Sequence, residues 1–337
     1  MSATTDVSKP LKTWSYLAER RRRPTEYETV STNLLWSTGD KEAPWTLGQG
    51  IPMTKWYKQY RNNSALQSPN WDGFRDPDQL IYRNYTLIQD GQEAFVDGLI
   101  DDHSRNEHDV SMPEGWAALL ARMYTPARYA MHAIQMGSNY LVALAPASAI
   151  SNCFMFQAGD HLRWLSRVSY RTAELKVAWP ELGFSTGERA YWEEAPEWQG
   201  FRELIEKALI AWDWGEQFVA LNLVVKPAID AAFIGALGQA ARRSGDTMTA
   251  LLLDAQFIDS ERCRRFSTAL LSYAIETEPA NAEVVRGWLE KWSPLGEAAI
   301  TAYCAGLPDG DELREAALKA FADGQNASGA RLVLPNA

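Results

Sequence analysis

Asp160-His161-Leu162-Arg163-Trp164 and, about a hundred residues later, Asp259-Ser260-Glu261-Arg262-Cys263 repeat one frame: an aspartate followed three positions on by an arginine. On a helix, positions three and four apart share a face. Each frame therefore turns its first, fourth and fifth residues to one side. The two copies keep the Asp and the Arg and differ at the second and fifth positions, His161 against Ser260 and Trp164 against Cys263. A duplicated motif on two long helices is the mark of a four-helix bundle built from two helix pairs.

The surrounding sequence reads as further helices. Asp76-Pro77 is an N-cap followed by a proline suited to a first helical turn, and apolar residues keep helical spacing from Leu80 to Leu99. Ser111-Met112-Pro113 and Thr125-Pro126 open two more helices, Ala145-Pro146 interrupts the apolar run after them, and the helix of the first frame ends at Trp179-Pro180. Residues 181 to 197 form a connector. A long helix is expected from about Trp198 to Lys226, stopped by Pro227, and the helix marked by Trp288 and Trp292 is expected to break at Pro294. His132 falls on an apolar face, where a satisfied core residue is the plainer reading; His103 and His108 sit in a polar, solvated stretch. Nothing in this span alternates as a strand does. The class is all-α.

The first 75 residues are written differently. Trp14, Trp36, Trp45, Trp56 and Trp71 fall there, among Pro, Ser, Thr, Asn and Gly, with no sustained period. The stretch is too aromatic for a disordered tail and too irregular for a domain of its own. It reads as an extended arm pinned by aromatic side chains, either on its own core or on a partner. Trp14, Trp36, Trp45 and Trp56 are the interface candidates, since Trp anchors interfaces. The expected organisation is an arm over 1–75, a helical domain over 76–310 and a C-terminal helix and tail over 311–337.

Composition limits what the chain can do. A net charge of −10 over 337 residues argues against a nucleic-acid partner, which needs clustered Lys and Arg. The one basic run, Arg20 to Arg23, is followed at once by Pro24, Glu26 and Glu28. Cys153, Cys263 and Cys304 are odd in number and without paired spacing, as reduced thiols are. The stretch from Tyr140 to Ile150 is about half a membrane span, and no apolar segment follows Met1. The expectation is a cytoplasmic chain with no membrane partner.

The Asp-x-x-Arg frame has a chemical counterpart. Ferritin-like di-iron proteins hold their metals with two lone glutamates and two Glu-x-x-His motifs inside a four-helix bundle. In the oxygen-activating members that motif commonly reads Asp-Glu-x-Arg-His. Here His161 and Ser260 stand where Glu would be, and Trp164 and Cys263 where His would be. All four ligand positions are changed, so no metal is assigned to this chain. Glu93 and Glu216 lie on helices that could once have supplied the lone ligands and are left without a role. The retained Asp160-Arg163 and Asp259-Arg262 are expected to bond within each helix as i,i+3 pairs.

Phrases spread over almost the whole length carry a more specific resemblance. Among them are Leu11-Lys12-Thr13-Trp14-Ser15, Trp56-Tyr57-Lys58-Gln59-Tyr60-Arg61, Gln89-Asp90-Gly91-Gln92-Glu93, Trp198-Gln199-Gly200-Phe201-Arg202-Glu203-Leu204, Asp213-Trp214-Gly215-Glu216 and Asn222-Leu223-Val224-Val225-Lys226-Pro227. The chain resembles the β subunits of the hydroxylase of bacterial multicomponent di-iron monooxygenases, in the branch oxidising toluene, o-xylene and small alkenes such as isoprene. The resemblance implies a ferritin-like, ribonucleotide-reductase-like helical fold and a non-catalytic β subunit. It implies a paired heterotrimer with a di-iron α subunit and a γ subunit, a reductase with NADH, FAD and an iron–sulfur cluster, a Rieske-type ferredoxin and an effector protein. No catalytic or cofactor-binding residue is expected in this chain. The alternative is a helical protein with a metal site of its own that the motifs do not disclose.

Overall fold

The structure, a computed structural model, describes residues 24–32, 34 and 52–328, and among these every regular element is a helix. Trp14, Trp36 and Trp45 lie outside them. The helices are α1 (Glu26–Ser31), α2 (Pro52–Tyr57), α3 (Tyr82–Arg105), α4 (His108–Ser111), α5 (Glu114–Met123), α6 (Ala127–Leu144), α7 (Ser148–Ala178), α8 (Glu188–Glu194) and α9 (Pro196–Leu209). They continue as α10 (Trp214–Arg243), α11 (Thr247–Thr277), α12 (Asn281–Cys304) and α13 (Gly310–Ala327). The two frames sit near the middle of α7 and α11, each 31 residues long.

α10 is the axis of the fold. It is long and apolar enough to cross a membrane, yet 94% of its most apolar window is buried against neighbouring helices. Burial on all sides explains why it lacks the polar stripe of a surface helix. α6 folds back along α7, tied by Ser151 donating to the Val142 carbonyl and Gln157 to Ser138. α9 crosses α12 where Gly200 lets the backbones meet: a Cβ there would lie 2.6 Å from the Ala299 Cα.

Four helix boundaries differ from the sequence reading. α3 begins at Tyr82 rather than at Asp76-Pro77. Asp76 does cap, accepting from the Asp78 and Leu80 amides, but Gln79 at φ 47° turns the chain before a helix can propagate. The expected Trp198–Lys226 helix is two elements: α9 ends at Leu209, and Asp213 recaps the chain by accepting from the Gly215 and Glu216 amides. α10 then runs through Pro227, because Val219–Val225 is π-helical and its wider turns make room for the ring. A second π-helical stretch covers Asp230–Ala236. α12 likewise continues through Pro294, held on both sides of the proline by α9 and α13.

Residues 52–75 pack on this chain's own body. Leu66 and Phe74 are in the core, Ser64 Oγ donates to Asp213, and Gln67 bonds Asn281 through its amide and carbonyl. Trp56 donates to the Tyr140 hydroxyl at 3.0 Å and meets Trp212 edge-on. At the other end α13 is buried through Leu313, Ala317 and Phe321.

His132 is exposed on α6, on the side opposite Met131 and Ile134. His108 is not solvated as expected: its Nε2 lies 3.0 Å from the buried Asp246, whose other oxygen accepts from Trp116 at 2.8 Å. Asp246 also caps α11 through the Thr249 amide. Burial alone would push the Asp246 carboxyl up; the bonds from His108, Thr249 and Trp116 outweigh it and hold the pKa at about 2. The folded value lies below the unfolded one, so this stability is present above about pH 4 and is lost as pH falls through about 2. Asp246→Ala is expected to destabilise the chain by roughly 2–3 kcal/mol at neutral pH, and by little near pH 2, in urea unfolding.

Candidate functional site

α3, α7, α10 and α11 converge on one buried polar centre. The frame residues His161, Trp164, Ser260 and Cys263 all line it, together with Gln157, Asp160, Lys226, Gln256 and Asp259. The fold thus brings His161, Trp164, Ser260 and Cys263 together in one centre. The space left among them is about 10 Å³, room for one water molecule at most.

The aspartates and arginines pair across the bundle, correcting the expected in-helix pairs. Arg163 of α7 bonds Asp259 of α11, and Arg262 of α11 bonds Asp160 of α7. The in-helix approach of Arg262 to Asp259 is longer, at 3.5 Å. α7 and α11 run antiparallel through the centre, so a guanidinium turned inward meets the facing helix's carboxylate first. Gln89 of α3 joins the two bridges, donating to Asp160 at 3.0 Å and to Asp259 at 2.9 Å. Tyr85 adds a bond to Asp160 at 3.0 Å, and Trp164 Nε1 donates to Asp259 at 2.8 Å.

α10 supplies the residues that the sequence reading missed. Lys226 Nζ bonds Ser260 Oγ at 2.9 Å and reaches Asp230 at 3.4 Å, while Ser260 donates to Asp230 at 2.7 Å. All three groups are buried. The signal was available: Lys226 and Asp230, four apart, are the only charges in the apolar run from Val219 to Leu237. Such a pair on one buried helix face needs a polar destination.

The chemistry of this donor set does not fit a di-iron centre. Burial pushes the Cys263 thiol up to about 12, so it stays protonated, donating to Gln157 Oε1 at 2.9 Å. A metal takes the thiolate. Burial and the nearby Lys226 drive the His161 imidazole well below its usual range, which leaves it neutral. Burial opposes charge on Lys226, but Asp230 more than compensates and holds its pKa above the ordinary value. Burial and the adjacent Asp259 push Asp160 up to about 7 against the pull of Arg262. Above that pH the centre holds three carboxylates, Asp160, Asp230 and Asp259, against three cations, Arg163, Lys226 and Arg262. Side chains supply the positive charge that metal ions would otherwise bring, and they fill the volume. Among the described residues no group of three or more His, Cys, Asp or Glu is disposed to hold a metal ion.

The two unassigned glutamates separate. Glu93 sits beside the centre, bonded to Arg163 at 3.0 Å and to Arg167. Glu216 faces away from it, bonded to Lys291 at 2.6 Å and to Trp292 Nε1 at 3.0 Å.

Comparison with known proteins places this centre in context. Residues 56–278 match the family described as Methane/Phenol/Alkene Hydroxylase. The chain is 50% identical over 302 residues to the hydroxylase component subunit beta of the toluene-4-monooxygenase system of Ectopseudomonas mendocina, covering 90% of this chain and 92% of that one. It is 26% identical over 298 residues to the hydroxylase component small subunit of a propane 2-monooxygenase from Gordonia sp., with 83% and 77% covered. A solved structure of toluene 4-monooxygenase, with toluene bound in its resting active site, superposes with a TM-score of 0.84 at 50% identity, covering 88% of this chain and 98% of that one. A xenon-pressurised Pseudomonas phenol hydroxylase shares the fold, with a TM-score of 0.79 at 18% identity and 98% and 97% covered.

Proposed function

Because the chain belongs to the methane, phenol and alkene hydroxylase family, we propose that it is the iron-free β subunit of a hydroxylase that inserts one atom of O2 into an aromatic hydrocarbon or small alkene. The observation that carries this reading is the charge replacement at the bundle centre. Lys226, Arg163 and Arg262 stand against the three aspartates, and the four ligand positions hold an imidazole, an indole, a hydroxyl and a protonated thiol. Such a centre closes the bundle with charged and polar side chains of its own and leaves room for one water molecule at most.

Oxidation then belongs to a di-iron α subunit with which this chain assembles, together with a γ subunit, as a paired heterotrimer in the cytoplasm. Electrons come from NADH through a flavin and iron–sulfur reductase and a Rieske-type ferredoxin, and an effector protein docks on the assembled hydroxylase. The same reading divides the chain into an arm over 1–75, a helical domain over 76–310 and a C-terminal helix and tail over 311–337, with the base of the arm and the C-terminal helix packed on the helical body. Trp14, Trp36 and Trp45 are the proposed anchors on a partner, while Trp56 is fastened to Tyr140 and Trp212 of this chain.

The purified chain is expected to bind no iron and to oxidise nothing until it is combined with the α subunit. Iron analysis and product assays of the chain alone, and then of the reconstituted complex, check this. Stoichiometric iron on the isolated chain, with oxidation of substrate, counts against the proposal.

A further inference from the structure

We propose that the outer face of α3, widened by Leu251 and Ile258 of α11, is the surface on which the di-iron subunit docks. It would do so through a helix that is apolar along one side and basic along its edges. The inference rests on the subunit role proposed above and assigns that role to particular residues. Over its 24 residues α3 buries only Gln89, Val96 and Ile100 in this chain, whereas α7 buries fifteen of 31. What α3 leaves in solvent includes large apolar side chains among its carboxylates. Leu87 is 66% exposed and Phe95 55%, with Ile88 beside them.

The spacing of that face is the spacing of a helix seam. Ile88, Gly91, Phe95 and Gly98 follow one another at intervals of three and four, as the core positions of paired helices do. Gly91 and Gly98 have open space where a Cβ would project. They form shallow seats into which large side chains of a facing helix can pack, between the knobs Ile88 and Phe95. On α11, Leu251 and Ile258 are exposed directly beside Leu252 and Asp259, which α3 covers. They continue the apolar patch past the edge of α3. Contiguous exposed apolar surface of this kind marks an interaction site.

Charge decides between occupants. From Leu87 to Asp102, α3 carries Asp90, Glu93, Asp97, Asp101 and Asp102 and no basic residue. Arg163 and Arg167 of α7 neutralise Glu93 and Asp97. Arg105 approaches Asp101 only at 3.9 Å, so Asp90, Asp101 and Asp102 leave the rim acidic. A second copy of this chain would set acid against acid. A different chain with Lys or Arg flanking its apolar stripe pairs with the rim, and like-charge juxtaposition screens out self-association.

The test uses the full chain with the α and γ subunits of its own hydroxylase, read by size-exclusion chromatography and titration binding. Phe95→Glu is expected to weaken assembly at least ~30-fold, as loss of a central aromatic anchor does. Asp90→Lys with Asp102→Lys is expected to weaken it about tenfold at low salt and to flatten its salt dependence. Lys319→Glu, exposed on α13, should leave assembly unchanged. Circular dichroism and urea midpoints of each free variant should match the wild type, because these side chains are exposed in the chain. Wild-type assembly that survives Phe95→Glu and the double reversal overturns the docking face and leaves the subunit role standing. A wild-type chain that fails to assemble at all overturns the subunit role, and the face with it. A homodimer of the chain alone that Phe95→Glu dissolves overturns the assignment of the occupant.

Discussion

Arg262→Leu should destabilise the isolated chain by roughly 3–5 kcal/mol, since it strips the partner from a buried carboxylate. Asp160 would keep Tyr85 and Gln89 but lose its only direct cation, and the adjacent Asp259 would lose its second. The penalty should depend on pH with a definite sign. Burial and Asp259 already raise the Asp160 pKa to about 7, and without Arg262 it rises further. A carboxyl whose folded pKa exceeds its unfolded one contributes stability at low pH that is lost as pH rises through the folded value. Urea midpoints should therefore fall more at about pH 8 than at about pH 6. Adding Asp160→Leu should recover much of the loss, because replacing both partners of a buried pair by apolar groups is often nearly neutral. A single variant as stable as the wild type at both pH values would mean that the crossed bridges do not hold the centre.

Rebuilding one ligand motif, by His161→Glu with Trp164→His, should cost roughly 3–5 kcal/mol and restore no iron. Trp164 is fully packed, its indole N–H donates to Asp259, and the Arg163 guanidinium lies 4.5 Å above its ring. Removing it opens a cavity of the kind that makes large-to-small core changes expensive. The new glutamate would enter a centre whose facing helix still offers Ser260 and Cys263. Lys226 would pair with it before a metal could. Thermal unfolding and iron analysis of the double variant check both halves of this expectation. A stable, iron-loaded protein would show that the ammonium yields to the metal, and with it the account of charge replacement would fail.

The fold was largely legible because its grammar is local. Helical spacing around the two frames, the caps, and prolines such as Pro113, Pro126 and Pro180 mark most helices where the structure has them. Two of the four misread boundaries share one cause, a proline taken as a stop; the other two are a turn at Gln79 and a recapping at Asp213 that helical spacing does not show. Pro227 and Pro294 both lie inside helices, because π-helical turns and packing on both sides offset the missing hydrogen bond. The site was legible in its membership and hidden in its wiring. His161, Trp164, Ser260 and Cys263 could be placed in one centre from the duplicated frame. That Arg163 serves Asp259 and Arg262 serves Asp160 depends on how α7 and α11 cross, which no spacing within either helix records. Lys226 and Asp230 needed only the question of what two charges do in an apolar helix. The separation of Glu93 from Glu216 could not be read at all, since it follows from which way α3 and α10 are rotated.

The π-helical turns of α10 fix a phase. Each wide turn holds more residues than an ordinary one, so it acts as a gear that sets the rotation of everything beyond it. Deleting one residue between Val219 and Val225 would let that stretch close to ordinary turns, which hold fewer residues, and the two halves of α10 would keep nearly their present phase. Lys226, beyond the stretch, would still face Ser260. The same deletion in the ordinary turns of Trp214–Phe218 would instead rotate one half of α10 by about 100° against the other and pull Asn222 and Lys226 away from Gln157, Ser267 and Ser260. The wide turns are thus the one place in this part of the helix where length carries slack.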